Sequence, residues 1–282
     1  MPDARSETLA VGLVQLRTPD NQADALAHAA PLIREAAEGG AKLILTPEGT
    51  NILERSREKR LARVVRQDED SCVNGLRDLA ADLGVWLLIG SAIVKGEDPT
   101  DPRAANRSIL ISPDGEIAAT YDKLHVFDVD LPTGERHRES ESIRPGEKAV
   151  VAKTPWGGLG LTVCYDVRFA HLFRALAQAG ADMISVPAAF TVPTGKAHWE
   201  LMLRARAVET GAFVMAPAQG GPHADGRSTW GHSLVVAPWG EVIASLDHED
   251  PAVLYATLDL AQVARARAAI PQLQHERGFV GP

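Results

Sequence analysis

Residues 159–180 read LGLTVCYDVRFAHLFRALAQAG, and the organisation of the whole chain can be worked outward from them. Residues 159–163 are apolar and short, as a buried strand is. Cys164 stands where that strand stops. Residues 168–179 then carry helical spacing, and Gly180 ends them. A second apolar run follows at 183–186. Strand, helix and strand in this order predict an α/β architecture.

The same alternation runs in both directions. Residues 9–16 read as a strand, and Asp20 caps a helix that runs to Glu38 and stops at Gly39-Gly40. Strands are expected at 42–45, 85–94 and 107–111, with a helix at 68–83 stopped by Gly84. Pro99 and Pro102 mark a loop, and Pro113-Asp114-Gly115 turns the chain into a strand at 116–121. Residues 123–146 have no clear period and read as one long loop, which in a compact domain is usually functional or disordered. A helix at 198–209 places Leu201, Ala205 and Val208 on one face. Strands at 213–218, 234–237, 242–245 and 254–258 complete the pattern, with a turn at Trp239-Gly240. No Ser/Gly linker and no repeat divides the chain, so residues 1–282 read as a single domain. The hairpins predict mixed rather than wholly parallel sheets.

Composition narrows the classes. Across 282 residues, 29 Lys and Arg against 37 Asp and Glu leave a net charge of −8. A whole-protein basic footprint for nucleic acid or an anionic membrane is therefore absent. Cys72 and Cys164 are too few for a disulfide framework and suit a reducing compartment. The N-terminus is polar, with no apolar signal-like region, and no apolar run approaches bilayer length. A cytoplasmic chain is the expectation.

Three reactive side chains lie where strands end. Cys164 is delivered by an apolar strand to a turn before a helix, where unpaired N–H groups favour a thiolate and an oxyanion. A buried structural cysteine is the alternative at such a place, and Cys72, inside a helical pattern, has only that reading. Glu48, in LILTPEGTN, follows an apolar strand and Pro47. Partial burial is expected to raise its pKa toward the range of a general base. The alternative is a helix-start glutamate satisfying backbone N–H groups. Lys123, in YDKLHVFD, is placed to donate to a developing oxyanion; taken alone it reads first as a solvated loop lysine. Glu139, among Arg136, Arg138 and Arg144, reads singly as a surface acid. His198 and His232 lack zinc-type spacing, and neither a nucleotide-binding glycine motif nor a GxSxG elbow occurs.

Together, VGLVQL, TPEGTN, YDKLHVFDVDLP, RESESIRPG and GLTVCYDVRF resemble the nitrilase superfamily of carbon–nitrogen hydrolases over nearly the whole chain. The resemblance implies a four-layer α-β-β-α sandwich of two packed mixed sheets with helices outside, assembled as a homodimer or larger homo-oligomer. It implies Glu48, Lys123 and Cys164 as catalytic residues, with Glu139 as a second, substrate-positioning glutamate. The implied reaction is hydrolysis of a small linear amide to a carboxylate and ammonia through a thioester on Cys164, with no cofactor and no metal. Lys123 and the backbone N–H of Tyr165 would stabilise the oxyanion.

CYDVRF, TGKAHWELMLRARAVET and APAQGGPHADGRSTWGHS are similar to the branch of omega-amidases and deaminated glutathione amidases, and the last segment leans to the second. N-carbamoyl amino acid hydrolysis on the same residues, or a non-catalytic interaction role, are the competing readings. A carboxylate-bearing substrate needs a cation. Arg168 is the first candidate, although an ion pair with Asp166 would also explain it; Lys196 and Arg227 come next. Phe190 and Thr191 are expected to line the pocket, with core packing the other reading of Phe190. Lys196 and Ala170-His171 depart from the branch pattern and leave the exact substrate open.

Overall fold

A computed structural model describes residues 7–281 apart from 97, 99 and 133. Most of the polar N-terminus and Pro99, read above as a loop marker, lie outside the described residues. In chain order the strands are β1 (Thr8–Gln15), β2 (Leu43–Leu45), β3 (Trp86–Lys95), β4 (Ala104–Ile111), β5 (Ile117–Asp122), β6 (Asp128–Asp130), β7 (Arg136–Arg138) and β8 (Val150–Thr154). They continue as β9 (Gly157–Leu161), β10 (Ala181–Ser185), β11 (Phe213–Ala216), β12 (Gly220–Pro222), β13 (Ser228–Trp230), β14 (Leu234–Val236), β15 (Val242–Ser245) and β16 (Ala252–Asp259). The α-helices are α1 (Gln22–Glu38), α2 (Arg57–Arg63), α3 (Ser71–Leu83), α4 (Ala170–Gln178), α5 (Val192–Thr210) and α6 (Ala261–Ala269).

Two six-stranded mixed sheets form the centre, in the orders β16-β1-β2-β3-β4-β5 and β15-β14-β11-β10-β9-β8. Their facing sides share one core. In it, Leu9, Val11 and Leu13 of β1 and Leu43 and Leu45 of β2 meet Leu159, Met183 and Phe213. The intervening side chains Val14, Ile44, Leu87 and Ile89 point the other way, onto α1 and α3. Period-two alternation thus buries both faces of the first sheet. Gly12 in β1 is required by this layering, since a Cβ there would stand 3.0 Å from that of Ala36 on α1. On the far side, Leu172, Phe173, Trp199 and Leu203 of α4 and α5 close the second sheet. The result is the α-β-β-α order expected.

Several local readings are corrected. Residues 123–146 contain the hairpin β6–β7 rather than one loop. The seven-residue helix α2 and the edge strand β8 have no counterpart in the sequence reading. The helix predicted at 198–209 begins at Val192, where Pro193 suits a first turn. Its buried side is Trp199, Leu203, Arg206 and Ala207, while Leu201 and Val208 are 68% and 47% exposed. The apolar stripe read from spacing therefore faces away from the core. No helix among the described residues is long and apolar enough to cross a membrane.

Candidate active site

The end of β2 is tied into a rigid turn before it delivers its carboxylate. Thr46 N–H bonds Leu88 carbonyl at 2.9 Å, and Ser91 N–H bonds Pro47 carbonyl at 3.0 Å. Gly90 lets this turn pack on β3, because a Cβ there would lie 1.7 Å from the Thr46 carbonyl oxygen. The Glu48 side chain is thereby aimed at the seam between the sheets. Its Oε1 accepts from Lys123 Nζ and from Asn106 Nδ2, both at 2.9 Å, and its Oε2 accepts from Ala189 N–H at 3.0 Å.

Lys123 follows β5 and is 2% exposed. Its ammonium also donates to both oxygens of Glu139, at 3.1 and 2.9 Å. Glu139 opens a short 3-10 turn after β7, and its Oε2 accepts Phe127 N–H at 2.6 Å. The β6–β7 hairpin thus holds the second glutamate over the lysine.

Cys164 follows β9 and begins a 3-10 turn, Cys164–Arg168; α4 starts only at Ala170. Its φ is +50°, a left-handed value unusual for a side chain other than glycine and of the kind found at functional sites. Cys164 N–H bonds Pro187 carbonyl at 2.9 Å, and the thiol neighbours the Glu48 carboxylate closely enough for each to shift the other's proton affinity. Tyr165 lies in the first turn of this 3-10 segment, where an N–H has no acceptor inside the turn.

The charges settle one another. Burial pushes Glu48 up, but the Lys123 ammonium, the neighbouring Cys164 thiol and the hydrogen bonds from Lys123 and Asn106 bring it below its ordinary value. This corrects the expected rise: the neighbouring cation outweighs desolvation. Burial likewise works against the Lys123 charge, and Glu139 and Glu48 more than offset it, so the amine stays protonated. Burial and the Glu48 charge push the Cys164 thiol up, although Lys123 pulls the other way. The resting pair is a carboxylate beside a neutral thiol, not the thiolate that a helix N-terminus would favour.

Two further contacts had no sequence reading. Asn106, on β4, bridges Glu48 and Glu139 at 2.9 and 3.3 Å. A buried amide in an otherwise apolar strand was the available signal. Asp166, fully buried, accepts from Tyr121 hydroxyl (2.7 Å), Val163 N–H (2.9 Å) and His125 N–H (3.0 Å), and its Oδ1 lies 2.7 Å from His125 Nδ1. One carboxylate therefore ties the segment bearing Lys123 to the segment bearing Cys164.

These groups floor a cleft of about 650 Å³ that is also lined by Tyr165, Arg168, Phe190, Thr191 and Arg227. Arg168 donates to His198 Nδ1 at 3.3 Å, and its guanidinium carbon lies 5.8 Å from the centre of the Phe190 ring. It makes no ion pair with Asp166, whose oxygens are taken as described. Phe190 also packs on Trp199, so it belongs to pocket and core together. Thr191 precedes α5, its hydroxyl 2.8 Å from that of Thr194. Lys196 is a correction: the earlier start of α5 carries it onto an exposed turn outside the cleft lining.

Comparison with known proteins gives the family. The carbon-nitrogen hydrolase family model matches residues 10–268. A deaminated glutathione amidase of Yersinia enterocolitica is 39% identical over 268 residues, 95% of this chain and 92% of that protein. Nit3 of Saccharomyces cerevisiae, described as a nitrilase superfamily member, superposes with a TM-score of 0.83 at 31% identity, covering 94% of this chain and 95% of that one. A variant amidase from Nesterenkonia sp. AN1, with acrylamide added at its active-site cysteine, superposes with a TM-score of 0.77 at 26% identity over 94% and 98% of the two chains. From its two-sheet core to its strand ends, this chain belongs to the carbon-nitrogen hydrolase family of the nitrilase superfamily.

Proposed function

We propose that the chain is one catalytic domain that hydrolyses an amide of a small 2-oxo acid, with deaminated glutathione as the favoured substrate. The observation that carries this reading is the meeting, at the floor of the cleft, of Glu48 with the Lys123 ammonium at 2.9 Å and with the neighbouring Cys164 thiol. Glu48 takes the thiol proton as sulfur attacks the amide carbon. Lys123 and Tyr165 N–H receive the negative oxygen; one such donor is commonly worth ~10²–10³ in rate. Glu48 then returns the proton to the departing nitrogen, leaving a thioester. In the second half Glu48 deprotonates a water, held with help from Glu139, and the acid leaves with Cys164 again a thiol.

Arg168 is assigned the carboxylate of the 2-oxo acid. Among the described residues its partners are His198, Met202 and aromatic rings rather than an acid, so its fork remains open to a carboxylate. A cytoplasmic homodimer or larger homo-oligomer belongs to the same reading. Leu201, Val208 and the 56% exposed Trp239 support a second copy over α5, since covering exposed apolar surface gains roughly 25 cal/mol per Å².

Purified chain offered deaminated glutathione, 2-oxo acid amides and N-carbamoyl amino acids tests the assignment. The expected products are a 2-oxo dicarboxylate plus the released amine, a dipeptide from deaminated glutathione and ammonia from simple amides. Turnover confined to the carbamoyl compounds, with carbon dioxide released, transfers the reading to carbamoyl hydrolysis.

A further inference from the structure

The cleft holds more positive charge than the proposed chemistry uses. Lys123 is matched by Glu48 and Glu139, and the rim residues Arg136 and Arg138 share Asp130. Four other arginines line it, Arg55, Arg57, Arg60 and Arg227, and the last two come from elements different from those that hold Arg168. Arg60 sits in the last turn of α2. It donates to Glu54 carbonyl at 2.9 Å and to the Ser142 hydroxyl, while its Nε is buried with no acceptor among the described residues. Ser142 N–H bonds Glu139 carbonyl at 3.0 Å, so this arginine is coupled to the glutamate over Lys123. Arg227 lies in the loop of the β12–β13 hairpin and bonds Asp225 through Nε at 2.6 Å. Its terminal amino groups have no protein acceptor among the described residues.

Two like charges facing one partly dry space are costly unless an anion sits between them. The cost registers on Arg60, which burial and then the Arg227 charge hold below the ordinary arginine range, against the pull of Glu139, Glu54 and Asp225. Guanidinium forks match carboxylates in two-point geometry.

We propose that Arg60 and Arg227 form a second carboxylate subsite, which holds the far end of an amide whose departing amine itself terminates in a carboxylate. The inference rests on the amidase reading above and deepens it: Arg168 takes the acyl-side carboxylate, and this pair takes the one on the leaving side. A substrate that satisfies both is a peptide-like molecule charged at each end, as deaminated glutathione is. An ammonia-releasing amide satisfies only the first.

The test compares deaminated glutathione with its C-terminal carboxamide, which differs only in the far charge. The wild-type chain is expected to favour the free acid at least tenfold in kcat/KM, about 1.4 kcal/mol, with the difference in KM rather than kcat. In Arg227→Gln and in Arg60→Gln the preference should shrink to within about threefold, and Arg227→Lys should restore part of it. Arg227 is a part-exposed loop residue, so its variants keep the measurement available if the Arg60 variant fails to fold. Equal hydrolysis of acid and carboxamide by the wild type, or a preference that survives Arg227→Gln, overturns the subsite while leaving the amidase reading intact. Hydrolysis of neither overturns both.

Discussion

The two sheets follow the same plan and do different work. Read from β16, successive pairings run antiparallel, parallel, parallel, antiparallel, antiparallel. Read from β8, the second sheet repeats that series. Even the exits correspond: β2 leaves through Thr46-Pro47-Glu48 and β10 through Val186-Pro187-Ala188. At the matching position one half has an acid and the other a methyl group. The first half supplies Glu48 and Lys123, and the second supplies Cys164 and the Ala189 N–H that holds Glu48. A repeated framework thus builds one site across its seam, and neither half holds a nucleophile with its base.

Removing the second half's contribution should have the largest effect. Cys164→Ala is expected to lower kcat by about 10⁴ or more, since loss of a nucleophile is among the most severe single changes. Cys72 is the internal control. It lies in the core between α3 and the first sheet, and burial, with the charge of nearby Asp70, pushes its thiol far up. Cys72→Ala should cost about 1–2 kcal/mol of stability and retain turnover. Iodoacetamide should label Cys164 much faster than Cys72 in the native protein. Equal loss of activity in the two variants, measured as amine release, would sink the proposed role of the seam.

The first half's contribution is tested by Glu48→Gln, with an expected loss of about 10²–10⁴ in kcat/KM. The pH profile sharpens the point. Glu48 is held below its ordinary 4.5, and Cys164 and Lys123 are held above 9.0 and 10.5. The productive form, with carboxylate, thiol and ammonium all in place, therefore predominates through the neutral range, where kcat/KM should change little with pH. Activity falls only on the acid side of the ordinary carboxylate value, as Glu48 gains its proton. The stability that this carboxylate contributes is present above its unfolded value and is lost in the same acid window. An acid limb centred near pH 6 would contradict the cation's dominance over desolvation at Glu48.

Much of this is legible in the sequence. Apolar runs that stop at Glu48, Lys123 and Cys164 marked strand ends, and motif order joined them. The pairing repeat was not readable, because it resides in backbone hydrogen bonds and not in residue identity. The β6–β7 hairpin escaped because each strand has three residues, Asp128–Asp130 and Arg136–Arg138, and the charged side chains leave no apolar alternation to detect. Spacing on α5 found a stripe, Leu201 and Val208, without saying which way it faces. The fall in the Glu48 pKa depended on a lysine 75 positions away.

The smallest expected effect is the most informative about how the halves are joined. Asp166 belongs to the Cys164 turn, yet three of its four contacts reach Tyr121 and His125, the residues on either side of the Lys123 segment. Asp166→Asn keeps the size of the side chain but replaces one acceptor with a donor, so it cannot accept from all the same partners. It is expected to act as a positioning residue: kcat should fall about 10–100-fold with KM nearly held, as a displacement near 1 Å at reacting groups does. Tyr121→Phe removes one strand of the tie, the 2.7 Å bond to Oδ2, and should lose less. A role in folding alone would lower thermal stability and leave both kcat per folded molecule and the labelling rate of Cys164 unchanged. A seam that depends on Asp166 should instead show both falling together, because a lysine and a thiol carried by different sheets are aligned only as well as the group that spans them.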